Sequence, residues 1–95
     1  MRHGREIEDR IDPLLIDLAY THDIPVVATN DCHFSDETMF DAHDALLCIA
    51  DSAHIDQEDR RRLTPLHGFR SPSEMKEAFS DIPEAIENSV VIAKR

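Results

Sequence analysis

Ile24-Pro25-Val26-Val27-Ala28-Thr29-Asn30-Asp31-Cys32-His33-Phe34 is the stretch on which the fold turns. Its first six residues form a short apolar run rich in β-branched side chains, with His22-Asp23 before it and Asn30-Asp31 after it. That is the pattern of a buried strand. A lone strand leaves backbone donors and acceptors without partners, so its neighbours must come from a second copy or from chain lying elsewhere. Self-association, or disorder around Val26–Ala28, is therefore expected.

Upstream, Ile7, Ile11, Leu14, Leu15 and Leu18 recur at helical spacing. Pro13 interrupts them, and a proline inside a helix loses a donor and clashes with the preceding turn. The helix is therefore expected to start at Pro13, with Asp12 as N-cap, and to run to about Thr21. Downstream, Ser35 reads as the N-cap of a helix over Asp36–Ala50, with Met39, His43, Leu46, Leu47 and Ala50 on one face. Asp51 to Arg70 has no sustained period and reads as a loop or a short helical turn. Ser71-Pro72-Ser73-Glu74 opens a third helix, with Met75, Ala78 and Phe79 inward. Asp81-Ile82-Pro83-Glu84 opens a fourth, whose stripe is Ile82, Ile86, Val90 and Ala93. The fold class is mostly α with one short strand. It is expected as a single partial domain: a helix–strand unit over 1–34, then helical segments over 35–95. Ala93-Lys94-Arg95 carries no helix terminator, so a cut inside a longer helix is expected.

Composition narrows the functions. Ninety-five residues, 41% hydrophobic, allow one small core, and an aromatic share of 5% without tryptophan makes it aliphatic. That stock builds no stacking platform for single-stranded nucleic acid, and a formal net charge of -10 repels phosphate backbones. No apolar run approaches the roughly 18–20 residues that span a bilayer, so a soluble, cytoplasmic chain without membrane contact is expected. Cys32 and Cys48 have no framework spacing and read as reduced thiols, Cys48 within the core and Cys32 at the surface.

Asp31 and His33 carry the chemistry. In an extended chain they point the same way, a carboxylate beside an imidazole at the carboxyl end of a strand, which suits zinc, manganese or iron. Two donors fall short of a catalytic metal site, and a capping aspartate with a surface histidine explains the same pattern. His43 reads either as a half-buried histidine bonded to a backbone carbonyl, or as a ligand or a group supporting the ligands from behind. Arg60, Arg61 and Arg62, with Arg70, form the basic patch. They read either as a solvated loop paired with Asp56, Glu58 and Asp59 or as a phosphate or partner contact.

Pro25 to Phe34, Ala42-His43-Asp44-Ala45-Leu46-Leu47-Cys48-Ile49-Ala50, Arg60-Arg61-Arg62-Leu63-Thr64-Pro65 and Asp81-Ile82-Pro83-Glu84-Ala85-Ile86-Glu87-Asn88 resemble, in one collinear order, the alpha subunit family of bacterial DNA polymerase III. The similar stretch is the C-terminal part of its polymerase-and-histidinol-phosphatase (PHP) domain. The resemblance implies a fragment of a PHP-type (β/α)7 barrel holding zinc or manganese, with Asp31 and His33 as the ligands of its last Asp-x-His motif. It also implies that the remaining ligands and the polymerase aspartates lie outside this chain. The chain alone is then expected to be inactive and to hold metal weakly or not at all. Its partners would be the rest of the alpha chain and a proofreading subunit, with DNA reached only through the full enzyme. Two rivals remain at this stage. One is an acidic helical protein-interaction module using Ile82, Ile86 and Val90. The other is a small metal-dependent phosphoesterase completed by dimerisation.

Overall fold

The first helix, α1, begins earlier than Pro13 suggests. A computed structural model describes all residues, 1–95, and in it α1 spans Glu6–Thr21 with Pro13 inside. The turn ahead of the proline is held from outside the helix. Arg2 Nη2 and Nε donate to Asp12 at 2.7 and 3.0 Å, so the expected cap is engaged in an ion pair instead. The His3 backbone N–H and ring Nδ1 meet the Glu8 carboxylate at 2.6 and 2.8 Å. These charge-assisted contacts offset the hydrogen bond that Pro13 forfeits.

The chain divides into two units, one of Met1–Asn30 with Arg70–Arg95 and the other of Asp31–Phe69. In the first, α3 (Pro72–Ala78) and α4 (Pro83–Ala93) follow the two Ser/Asp-plus-proline signals. Ser71 closes a capping box with Glu74, as its spacing requires, whereas α4 is capped at Ile82 rather than Asp81. Asp81 serves Arg2 instead, at 2.6 and 2.9 Å, while Arg2 also donates to the Ala78 carbonyl and lies over the Phe79 ring at 4.8 Å.

The core of this unit is Ala28, Phe79, Ile82 and Ala85, with Ile16, Val26, Met75, Ala78 and Ile86 packed on it. Ile82 is thus buried and Ile86 half-buried against the core, so of the proposed interaction stripe Val90 is the exposed member. The α1 stripe turns outward: Ile7, Ile11, Leu14, Leu15 and Leu18 are 43–69% exposed, and Ala19 is its buried residue. Hydrophobic spacing marks an apolar face but does not supply the surface that covers it.

The expected strand over Ile24–Thr29 is not one. No sheet forms; the sole β pairing is an isolated parallel bridge between Phe34 and Gly68. A strand exists only through its partner, and here the partner is a helix. Ala28 N–H donates to the Ala85 carbonyl at 2.9 Å, and Asn88 Nδ2 donates to the Val26 carbonyl at 2.8 Å. The segment is ordered by these bonds, with alternate residues covered: Val26 and Ala28 turn inward, Pro25, Val27 and Thr29 outward.

In the second unit, a 3₁₀ turn over Glu37–Met39 leads into α2, Phe40–Asp51, and a second turn covers Pro65–His67. Asp36, not Ser35, is the cap, accepting from Thr38 N–H at 2.9 Å. The buried residues of α2 are Asp44 and Cys48, a face rotated from the Met39–Leu46 stripe. No helix of the chain is long and apolar enough to cross a membrane.

Candidate metal-ligand site

Asp31 takes a left-handed backbone conformation, φ 40°, which an aspartate tolerates better than a branched residue. The extended geometry that would aim Asp31 and His33 alike is thereby broken, yet the two side chains still meet. His33 Nε2 lies 3.3 Å from Asp31 Oδ2, both side chains substantially exposed. The turn at Asp31 does locally what strand alternation was expected to do.

His33 is fixed from its backbone outward. Its N–H donates to the His67 carbonyl at 2.8 Å, and Phe69 N–H donates to the Phe34 carbonyl at 3.0 Å. These two bonds lace 33–34 to 67–69, and the lacing needs Gly68. A Cβ there would stand 3.2 Å from the Phe34 ring and 3.3 Å from the Asp36 backbone. The His33 ring lies 5.6 Å from that of His43 and 6.0 Å from that of His67, and Phe34 packs at 5.4 Å on His43. His43 Nδ1 is buried with no hydrogen-bond partner, so the backbone-bonded histidine expected from sequence is not what forms at that nitrogen. A cleft of about 280 Å³ opens here, lined by His33, Phe34, Met39, His43 and Leu46.

His67 was not singled out by sequence reasoning. It is buried, and its Nδ1 receives the Thr64 N–H at 3.1 Å, closing a capping box around the Pro65 turn. Thr64-Pro65 was a legible turn signal, but the ring it positions near His33 lies 34 residues further along the chain.

Whether Asp31 and His33 fit a metal is a question of donor number and spacing. Two ligands each about 2.0–2.1 Å from a tetrahedral zinc lie about 3.3 Å apart, which matches the observed separation. The pair fits as two adjacent corners of a coordination sphere. No group of three or more His, Cys, Asp or Glu residues gathers to complete one.

Within the arginine patch, Arg60 and Arg61 pair with acids of α2 rather than with their sequence neighbours. Arg60 is almost fully covered and forks onto Asp44 with two contacts of 2.7 Å, while a third bond reaches the Ile55 carbonyl. Arg61 pairs with Asp51 at 2.9 Å, and Arg62 approaches Asp44 at 3.5 Å. Asp56, Glu58 and Asp59 side chains accept from neither Arg60 nor Arg61. The Arg60 hydrogen bonds hold the Asp44 carboxyl below its ordinary range against the opposing effect of burial. Arg61 and Arg62 are the members of the patch whose side chains face solvent. Cys32 is exposed and Cys48 buried, and neither forms a disulfide.

No protein-family model matches the chain. Curated relatives do, along its whole length. Over 94 residues, 99% of this chain, it is 49% identical to the DNA polymerase III subunit alpha of Caulobacter vibrioides. Over 95 residues it is 45% identical to the subunit of that name from Rickettsia felis, and over 96 residues 44% identical to that of Escherichia coli K12. In each case the chain spans 8% of the relative's length. The chain is therefore homologous, end to end, to one segment of that subunit.

Proposed function

We propose that this chain forms the C-terminal part of the PHP-type (β/α)7 domain of a replicative DNA polymerase alpha subunit, and that Asp31 and His33 are two of the ligands of its metal centre. The observation that carries the reading is the 44–49% identity extending over the entire chain to one segment of such subunits. The 3.3 Å meeting of carboxylate and imidazole supports the ligand assignment.

On this reading His33 is oriented by its backbone bond to His67 and by the His43 ring beside it, so the imidazole reaches Asp31 without a search through rotamers. Zinc or manganese, when bound, would supply charge stabilisation at a phosphoryl oxygen. The chain contributes two donors, so the remaining ligands belong to the rest of the alpha chain, which is the first partner of this segment. The proofreading subunit and DNA are reached through the whole enzyme, working in the cytoplasm.

A segment exchange tests this. The chain is substituted for the homologous segment of the Caulobacter vibrioides subunit, and bound metal and DNA synthesis are measured for the exchange and for its Asp31→Ala and His33→Ala forms. Retained synthesis with metal content lowered by both substitutions is expected. Metal content indifferent to both overturns the ligand assignment, and a folded exchange without synthesis overturns the placement in the polymerase.

A further inference from the structure

Three residues other than glycine hold a positive φ: Asp23, Asp31 and Ser52. Asp23 and Ser52 follow the last turns of α1 and α2, where a left-handed residue is an ordinary helix terminator. Asp31 ends no helix, and a non-glycine residue stays at φ 40° only where its surroundings hold it there. One contact reaches the peptide bond that enters it. The Asn30 carbonyl belongs to that peptide plane, and His3 Nε2 lies 2.8 Å from its oxygen; a carbonyl only accepts, so Nε2 is the donor. His3 is itself fixed to α1: its Nδ1 lies 2.8 Å from Glu8 Oε1, and its backbone N–H donates to Glu8 Oε2 at 2.6 Å. It is the largest fully buried side chain, 2% exposed. An imidazole is tolerated at that depth only with its ring nitrogens met, and an apolar side chain would fill the same space without that demand. What the imidazole adds is the bond to Asn30.

We propose that His3 is a positioning residue for the Asp31–His33 pair. Its Nε2–H fixes the Asn30 carbonyl and with it the plane of the Asn30–Asp31 peptide, whose orientation sets φ of Asp31. The turn so held points the Asp31 carboxylate at His33 Nε2, 3.3 Å away. His33, two residues on, is anchored separately through its own N–H on the His67 carbonyl, so the carboxylate is the member of the pair that needs a further hold. Loss of the His3 bond frees the Asn30–Asp31 peptide to rotate, and Asp31 relaxes toward the negative φ that most aspartates adopt. The carboxylate then leaves the imidazole. The consequence for metal rests on the ligand assignment proposed above; the consequence for the turn does not.

Two substitutions of His3 in the 95-residue chain separate its two nitrogens. His3→Asn places an amide where Nδ1 stands, keeping Glu8 and losing Asn30, whereas His3→Gln reaches the place of Nε2 and keeps a donor for the Asn30 carbonyl. The readouts are the intraresidue amide-to-Hα cross-peak of Asp31 by NMR, which is strong only at positive φ, and zinc affinity followed at His33. His3→Asn is expected to weaken the cross-peak and to raise the zinc dissociation constant about tenfold, while His3→Gln keeps both near those of the unsubstituted chain. A cross-peak unchanged by His3→Asn overturns the proposal, as does equal loss in the two variants, which is what packing alone would give. So does a zinc affinity that His3→Asn leaves unchanged while Asp31→Ala abolishes binding. A cross-peak that follows the His3 variants, with zinc binding indifferent to them and to Asp31→Ala, upholds the positioning role and overturns the ligand assignment. In the unsubstituted chain the His3 Nε2 proton is expected to resist exchange with solvent; an Nε2 without a proton overturns the proposal even if neither variant folds.

Discussion

Phe79→Ala is the substitution that most severely tests how the first unit is held together. Phe79 is 3% exposed and is the largest side chain of a core otherwise made of Ala28, Ile82 and Ala85. Truncating a buried phenylalanine costs about 3–5 kcal/mol, part transfer and part cavity. Two features of the site set the value within that range. An open groove lined by Lys76, Pro83 and Ile86 adjoins the ring, so water and neighbours partly refill the void and pull the cost toward about 3 kcal/mol. The Arg2 guanidinium, 4.8 Å above the ring, loses a cation–π contact of about 0.5–1 kcal/mol but keeps Asp12 and Asp81. The expected loss is about 3–4 kcal/mol, against roughly 5–14 kcal/mol for a domain of this length. Urea unfolding followed by far-ultraviolet circular dichroism measures it. Phe69→Ala is the internal comparison, since that ring is 74% exposed and its loss is expected to cost no more than about 0.5 kcal/mol. Equal midpoints for the two variants would refute the reasoning, because burial would then not be what distinguishes the rings.

Acid should destabilise the chain in a window set by its paired carboxylates. Asp44 is lowered by its Arg60 hydrogen bonds, and Glu8, despite burial that raises it, is brought below its ordinary value by His3. A carboxyl depressed in the folded state binds its proton more tightly when unfolded, so its contribution is complete above the unfolded value and is lost as pH falls through the folded one. The melting temperature is expected to hold down to about pH 5 and to drop below about pH 4, with Asp44→Asn flattening part of the drop; a midpoint independent of acid contradicts the pairing. Thiol labelling offers a second check: Cys32 is expected to react in the native chain and Cys48 only at the rate of unfolding, and simultaneous reaction excludes the burial of Cys48. Gly68→Ala should lower the melting temperature and shift the His33 and His67 ring resonances, since a methyl 3.3 Å from the Asp36 backbone forces its neighbours to give by a few tenths of an ångström; unchanged spectra would show that the 33–68 lacing tolerates a side chain.

What was legible in the sequence was local. The Ser71–Glu74 capping box and the proline at the start of α4 encode their helices within four residues, and both formed. Long-range contacts decided the rest. Arg2 and His3 kept a helical turn in front of Pro13 through partners that no periodicity announces. The apolar run at Ile24–Thr29 has the composition of a strand, but α4 supplies its hydrogen bonds here, and so it is not one. For Arg60 and Arg61, the nearest acids in sequence were not the partners. Asp44 and Asp51 stand seven residues apart on α2, two turns along one face, a spacing that was readable as a paired acceptor row. The Asp31-x-His33 pair was legible as a pattern, although a left-handed turn rather than strand alternation brings it together.

The central claim, that Asp31 and His33 are two corners of a metal centre whose other donors lie elsewhere, is tested most directly by titrating zinc into the 95-residue chain while following the His33 imidazole by NMR. The predicted result is fast, weak binding that moves His33, is abolished by Asp31→Ala, and stays far short of the roughly 10–16 kcal/mol of a complete structural zinc site. Tight stoichiometric binding, or zinc binding that moves other histidines and leaves His33 untouched, would contradict it.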